Sequence, residues 1–439
     1  MRLISKYTIP VLIIVFLFGC QKKEVRKNES ITILWAQWAP SDYLQELSKD
    51  FTKETGIKVI VKQEPWTSFQ DVFFKEMAVK GESYDMVAGD SQWLGRGSVE
   101  GHYVDISKWM IENKVDKTMT PASVVGYSEY PKDSGRYWAV PLEGDAMGFA
   151  YRKDLFEDIN EKKAFQLKYG YPLAIPKTWS QLKDISEFFY RPDEDFYGVA
   201  VWCEGNYDGV TMGVETFVWA WGADLGDYKK YKVQGILNST ESVEALKAYK
   251  QIYQYSSPDW KNAYLDTNKA LIEGKVSMIM SYFAFFPGLL DPEQNPYAHD
   301  TGFFANPSGP KTRVSSLGGQ GLSVISYSKK KDLCFKFIEW LVREDVQMKW
   351  AELGGYSCNN KVLSSEWFLR LKPYNRALME SMNFVKDFWV VPEYSELLKV
   401  SQEYWFRFLT TDEITSQEAM DAIAQEWENI FEWAGYYKE

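Results

Sequence analysis

The chain has 439 residues, with 61 acidic against 50 basic side chains and a net charge of −11. That length exceeds one ordinary core, so two domains are expected. The acidic balance argues against nucleic acid, whose phosphates demand a basic surface, and against general attraction to anionic lipid.

The N-terminus opens with Arg2 and Lys6, and an apolar run over 7–19 follows. That run is shorter than the roughly 20 residues a spanning helix needs, and its basic flank fits a signal peptide. The charged stretch 21–30 behind Cys20 reads as a flexible tether. Residues 31–35 form a β-rich run. A helix then starts with Ser41 as N-cap, buries Leu44, Leu47 and Phe51, and stops at Gly56. Ile57, Val59 and Val61 alternate as a strand. A second helix carries Phe69, Val72, Phe73 and Met77, and 85–88 is a short buried strand. Strand–helix–strand–helix–strand predicts an α/β fold whose sheet is mainly parallel.

Further along, 138–141 and 149–151 read as strands joining two lobes. Thr178 starts a helix over 179–190, 197–201 is a strand, and 243–255 is helical. Residues 276–280 and 322–325 are buried strands. One amphipathic helix is expected over 332–350, with Cys334, Phe337, Ile338 and Leu341 on one face. A last helix over 417–434 faces inward with Met420, Ile423 and Trp427.

His102 and His299 are the only histidines, and neither has a ligand partner one turn away. Cys203, Cys334 and Cys358 have no metal-like spacing and no CxxC. A zinc site and a His-based triad are therefore not expected, and at most one disulfide is. The sequence calls for no cofactor and no metal.

Four stretches, in order, carry a family resemblance: AVPLEGDAMGFAYRKDLF at 139–156, PKTWSQL at 176–182, ALIEGKVSM at 270–278, and LGGQGL at 317–322 followed by FKFI at 335–338. Together they resemble the family 1 extracellular solute-binding proteins of ABC importers, the maltose-binding-protein-like group. LFGC at 17–20 resembles the bacterial lipobox, which implies acylation of Cys20 and an exported, lipid-anchored protein. The family resemblance implies a two-lobed periplasmic-binding-protein-like fold, each lobe an α/β layer, joined by crossover strands. The first lobe takes 31–142 and 301–350, the second 143–300 and 351–439. Ligand sits in the cleft between them. The implied partners are a small-molecule sugar and the permease subunits of the importer, and the protein is expected to be a monomer.

Sugars present hydroxyls at fixed angles and an apolar C–H face, so their sites combine flat rings with planar polar groups. Such ligands gather at the carboxyl ends of strands. After the first strand stand Gln37 and Trp38, the latter either stacking on ligand or packing on the opening helix. After the third stand Asp90, Ser91, Gln92 and Trp93, with helix capping the competing role for the first two. Glu143 and Asp145 flank Gly144 in the crossover, as ligand carboxylates or as acids of a solvated turn. Glu204, Asn206 and Tyr207 follow another strand. In WAWG at 219–222 the two rings point to different sides, so one at most, Trp221, reaches ligand. Tyr282 and Phe283, Gly319 and Gln320, and Tyr356 complete the candidates.

The expected function is that of a binding protein, not an enzyme. A receptor for a polyamine or an amino acid is the alternative, since acids and aromatic rings also make a cation box. A secreted glycoside hydrolase using Glu143 and Glu204 is a further one.

Overall fold

A computed structural model describes residues 29–206, 209–261 and 266–437. Cys20, the apolar leader and the tether as far as residue 28 lie outside the described residues.

Eight strands form the sheet: β1 (Ser30–Ala36), β2 (Lys58–Glu64), β3 (Met86–Asp90), β4 (Val140–Arg152), β5 (Met278–Tyr282), β6 (Thr301–Ala305), β7 (Ser315–Val324) and β8 (Val385–Lys386). Their order is β2-β1-β3-β7-β4-β5, with β6 on β4 and β8 on β7. β1 runs parallel to β2 and β3, and β7 parallel to β8. The ladders of β7 with β3 and β4, and of β4 with β5 and β6, are antiparallel. Ile31, Ile33, Leu34 and Trp35 of β1 are wholly buried, as a central strand requires. β2 lies at the edge and alternates, Val59 and Val61 inward, Lys58 and Ile60 outward.

Apolar burial divides into two clusters. The first holds β1–β3, the inner faces of the helices Ala39–Thr55, Trp66–Ala78 and Lys331–Leu341, and apolar residues between Tyr356 and Met382. The second holds the helices Trp179–Phe188, Gly209–Ala220, Thr240–Tyr253, Tyr394–Thr410 and Ser416–Ala434. β4 feeds both: Val140, Leu142 and Ala146 enter the first cluster, Met147 and Phe149 the second.

Several local expectations change. The first helix begins at Ala39, and Ser41 is its third residue, whose hydroxyl turns back to donate to the Trp38 carbonyl at 2.7 Å. Ser30 belongs to β1 rather than to a tether. The two crossover strands are one continuous strand, β4, of 13 residues. Residues 197–201 make only single parallel bridges, Tyr197 to Val276 and Ala200 to Ile279, although Val199, Ala200 and Val201 are fully buried. The helix expected over 332–350 is two, Lys331–Leu341 and Glu344–Leu353. Arg343 breaks it with an extended backbone, φ −61° and ψ 139°. Val346 and Trp350 are buried after the break, so the apolar period runs on without marking it. All three described cysteines are buried and unpaired.

The β4–β7 ladder sets Gly144 opposite Gly319 and Asp145 opposite Gly318. Gly319 has φ +100°, and a Cβ there would collide with the Glu143 carbonyl oxygen. A Cβ on Gly318 would lie 2.7 Å from the Tyr282 ring. Gly170 also has a positive φ, +81°, but nothing lies within 4 Å of a Cβ there. Gly319→Ala is therefore expected to cost at least about 2 kcal/mol more than Gly170→Ala, since it adds a backbone clash to the shared left-handed penalty. Urea denaturation of the two variants measures the difference; equal losses would mean that the ladder yields at Gly319.

Candidate functional site

Three strands build the floor of the site. Gln320 on β7 pairs with Asp90 on β3 and with Glu143 on β4. Glu143 and Asp145 are two residues apart on β4, and of the two only Asp145 reaches the cavity. Above this row is a cavity of about 390 Å³ at the carboxyl ends of β1, β2, β3 and β5.

One wall is aromatic. Trp38 meets Trp66 edge-on at 5.4 Å and Phe285 at 6.3 Å, and Trp35 braces it from the core at 5.8 Å. Trp66, Thr67, Gln70 and Asp71 reach the cavity from the first turns of the helix that follows β2. Asp90 and Ser91 arrive from the end of β3, Glu204 and Asn206 from the loop before the helix Gly209–Ala220. Tyr282 closes the end of β5, packed 4.9 Å from Trp202.

The polar groups divide into those already used and those with capacity left. Trp35 Nε1 donates to Gln320 Oε1, which fixes the amide and turns its NH₂ away from Trp35. Gln320 is 2% exposed, and its Nε2 has no partner among the described residues. The Ser91 hydroxyl and Trp38 Nε1 likewise have none. Asp145 Oδ2 accepts from the Ala284 N–H at 3.2 Å, and Oδ1 from the Ala146 N–H at 2.8 Å. Burial outweighs these donors and pushes the Asp145 carboxyl up to about 7. Burial also raises the Glu204 carboxyl, with Asp266 adding to the effect and Asn206 opposing it. Glu143 is fully buried and held well above the usual carboxylate range, first by burial and then by Asp145, against a donated Tyr356 N–H at 3.2 Å.

Of the expected site residues, Trp38, Asp90, Ser91, Asp145, Glu204, Asn206, Tyr282, Gly319 and Gln320 line this cavity together. Others stand elsewhere. Gln37 is exposed, its backbone N–H tied to the Glu64 carbonyl. Trp93 is core: it is 2% exposed and packs 4.8 Å from Phe69 and 5.7 Å from Phe73. Gln92 beside it is buried. Glu143 lies behind the floor. Tyr356 locks it there, donating its hydroxyl to the Phe283 carbonyl at 2.6 Å, and Phe283 is itself wholly buried. Trp221 stacks on Phe217 at 5.2 Å. Tyr207 lies outside the described residues. Trp66, Gln70, Asp71, Phe285 and Phe388 line the cavity without having been anticipated. For the first three the signal was present, because they follow the end of a strand; Phe388 had none.

A second cavity, of about 220 Å³, shares Leu317 and Phe388 with the first. Its walls carry Lys132, Lys229 and Lys386 against Glu129, Asp133 and Asp387, so its charge is balanced. Among the described residues no group of His, Cys, Asp and Glu is arranged to hold a metal ion.

A cleft at strand ends, floored by a strand that feeds two cores, is the architecture of a ligand-capturing receptor. The model of the bacterial extracellular solute-binding proteins matches residues 35–348, and the chain belongs to that family. A mannitol-binding protein of Pseudomonas aeruginosa is 22% identical over 434 residues, covering 93% of this chain and 95% of that one. A probable amino-acid ABC transporter periplasmic-binding protein of Sinorhizobium fredii is 20% identical over 365 residues, covering 81% and 78%. Among solved structures, an ABC transporter solute-binding protein from Agrobacterium radiobacter in complex with ribitol superposes with a TM-score of 0.76 at 20% identity, covering 92% of this chain and 99% of that one.

Two outcomes follow from this geometry. Trp93→Ala removes a core ring and is expected to destabilise the fold by about 3–5 kcal/mol; chemical denaturation measures it, and a loss below 1 kcal/mol would contradict the core assignment. Asp145→Asn tests the raised carboxyl. The folded state keeps a proton between about pH 4 and 7 that the unfolded chain has lost, so the wild type loses stability as pH rises through that window. The melting temperature of Asp145→Asn, relative to wild type, should therefore climb from pH 5 to 7 and level off above. A flat difference would mean that Asp145 is ionised throughout.

Proposed function

We propose that this protein is the solute-binding component of an ABC importer and captures a sugar (mono-, di- or short oligosaccharide) in the 390 Å³ cleft. The observation that carries this reading is the pairing of the Trp38–Trp66–Phe285 wall with hydrogen-bonding groups that have capacity left, Gln320 Nε2 and Ser91 Oγ. Flat rings suit the C–H face of a sugar, and carboxylates and amides suit its hydroxyl pairs. The mannitol-binding relative and the ribitol-bound neighbour support a polyol. An amino acid fits less well despite the relative named for one. Its α-carboxylate needs a cation, and no Lys, Arg or His among the described residues lines the cleft.

The lobes divide at 31–142 with 301–350 and at 143–300 with 351–439; the packing of residues 356–382 into the first core favours extending the first lobe to include them. Ligand held by one lobe gains contacts from the other on closure, and only this differential affinity moves the equilibrium. The loaded form then docks on the permease subunits as a monomer. Cys20 anchors the exported chain through lipid. Among the described residues no helix is long and apolar enough to cross a membrane. The protein binds without turnover. Glu143 lies sealed behind the floor, so Glu143 and Glu204 do not flank a common space for glycoside hydrolysis.

Calorimetric titration against alditols, hexoses and short oligosaccharides tests this. A polyol or sugar is expected to bind at micromolar affinity or better, unconsumed, and Trp66→Ala is expected to weaken it by about 2 kcal/mol, roughly thirtyfold. Unchanged affinity in that variant would move the ligand out of this cleft.

A further inference from the structure

Resting on the sugar reading above, we infer that the solute is a sugar bearing a protonated amine, an amino sugar or amino alditol, rather than a neutral one. Asp71, Asp90, Asp145 and Glu204 all line the cleft, and among the described residues no Lys, Arg or His does. This bias is particular to the site, because the neighbouring cavity balances three cations against three anions. Asp145 is 2% exposed and its carboxylate is met by peptide N–H groups alone. Among the described residues no basic side chain pairs with Asp145 or Glu204. A buried carboxylate without a counter-charge, as at Asp145, is costly to ionise, and an ammonium group supplies the missing charge there and beside the half-exposed Glu204. The electron-rich faces of Trp38 and Trp66 favour the same group.

The second half of the ligand is read from a different feature. Gln320, only 2% exposed, lines the cavity with Nε2 unpartnered among the described residues, its Oε1 being held by Trp35. An amide donor in such a place needs an acceptor, which an alkyl ammonium chain lacks and a hydroxyl provides. A plain polyamine would satisfy the carboxylates and leave this donor unmet. A sugar hydroxyl and an amine on one molecule satisfy both.

The test is calorimetric titration of the protein at pH 7 with matched pairs: D-glucose and D-glucosamine, D-galactose and D-galactosamine, D-sorbitol and 1-amino-1-deoxy-D-sorbitol, with putrescine as a cation that has no hydroxyls. In at least one pair the amine is expected to bind at least about tenfold more tightly than its parent. Asp145→Asn and Glu204→Gln, each checked for an intact melting transition, should reduce the amine's affinity at least fivefold more than the parent's. If in every pair that binds the parent binds as well as its amine, this inference is overturned and the sugar reading stands. Putrescine binding more tightly than every sugar and amino sugar, or no binding by any pair, overturns the sugar reading and this inference with it.

Discussion

The site depends on one ladder, β4 against β7. It places Glu143 and Asp145, two carboxyl groups two residues apart on one strand, beside Gly318, Gly319 and Gln320. Glycine is required where the strands meet. At Gly319 the backbone turns into the left-handed region and leaves no room beside the Glu143 carbonyl, and at Gly318 the Tyr282 ring fills the space a side chain would take. Two cores meet on the same strand, since β4 sends Ala146 to one and Met147 to the other. Stability and ligand geometry are therefore set by the same few rungs.

Polar groups are buried here at a cost that the fold only partly offsets. Trp35 satisfies one end of the Gln320 amide, Tyr356 one oxygen of Glu143, and peptide N–H groups the Asp145 carboxylate. What is left over faces the cavity: an amide donor, a hydroxyl and carboxyl groups raised by desolvation. Residual polar capacity in a ring-lined cavity favours ligand binding, because a ligand gains what the protein alone leaves unmet. The aromatic wall adds area with little loss of side-chain freedom, since each ring is braced by another.

Reading strand ends gave the cleft in outline and erred where packing overrode position. Trp93 follows β3 as directly as Ser91 does, yet the short turn Ser91–Trp93 rotates its ring inward onto Phe69 and Phe73, while Asp90 and Ser91 stay at the rim. Glu143 and Asp145 are alike in sequence and differ in fate, because Tyr356 comes from more than 200 residues away to cover the first of them. Trp66 was legible by the same rule that found Trp38, as it stands two residues past the end of β2. Phe388 was not, because nothing local places a residue beside β8 in contact with a cleft built mostly from the first 320.

The sequence by itself determined the periodic parts: the α/β alternation, the apolar faces of the long helices and the motif order that marks the family. These follow from local propensity and spacing, which neighbours along the chain can encode. Tertiary structure alone decided that β4 is one continuous strand shared by two cores, that 331–353 is two helices, and which of the acids Glu143 and Asp145 lines the cavity. It also decided that four carboxylates from four separate segments converge on one cavity that no Lys, Arg or His among the described residues lines. Convergence of this kind arises from long-range pairing, and no window of sequence contains it.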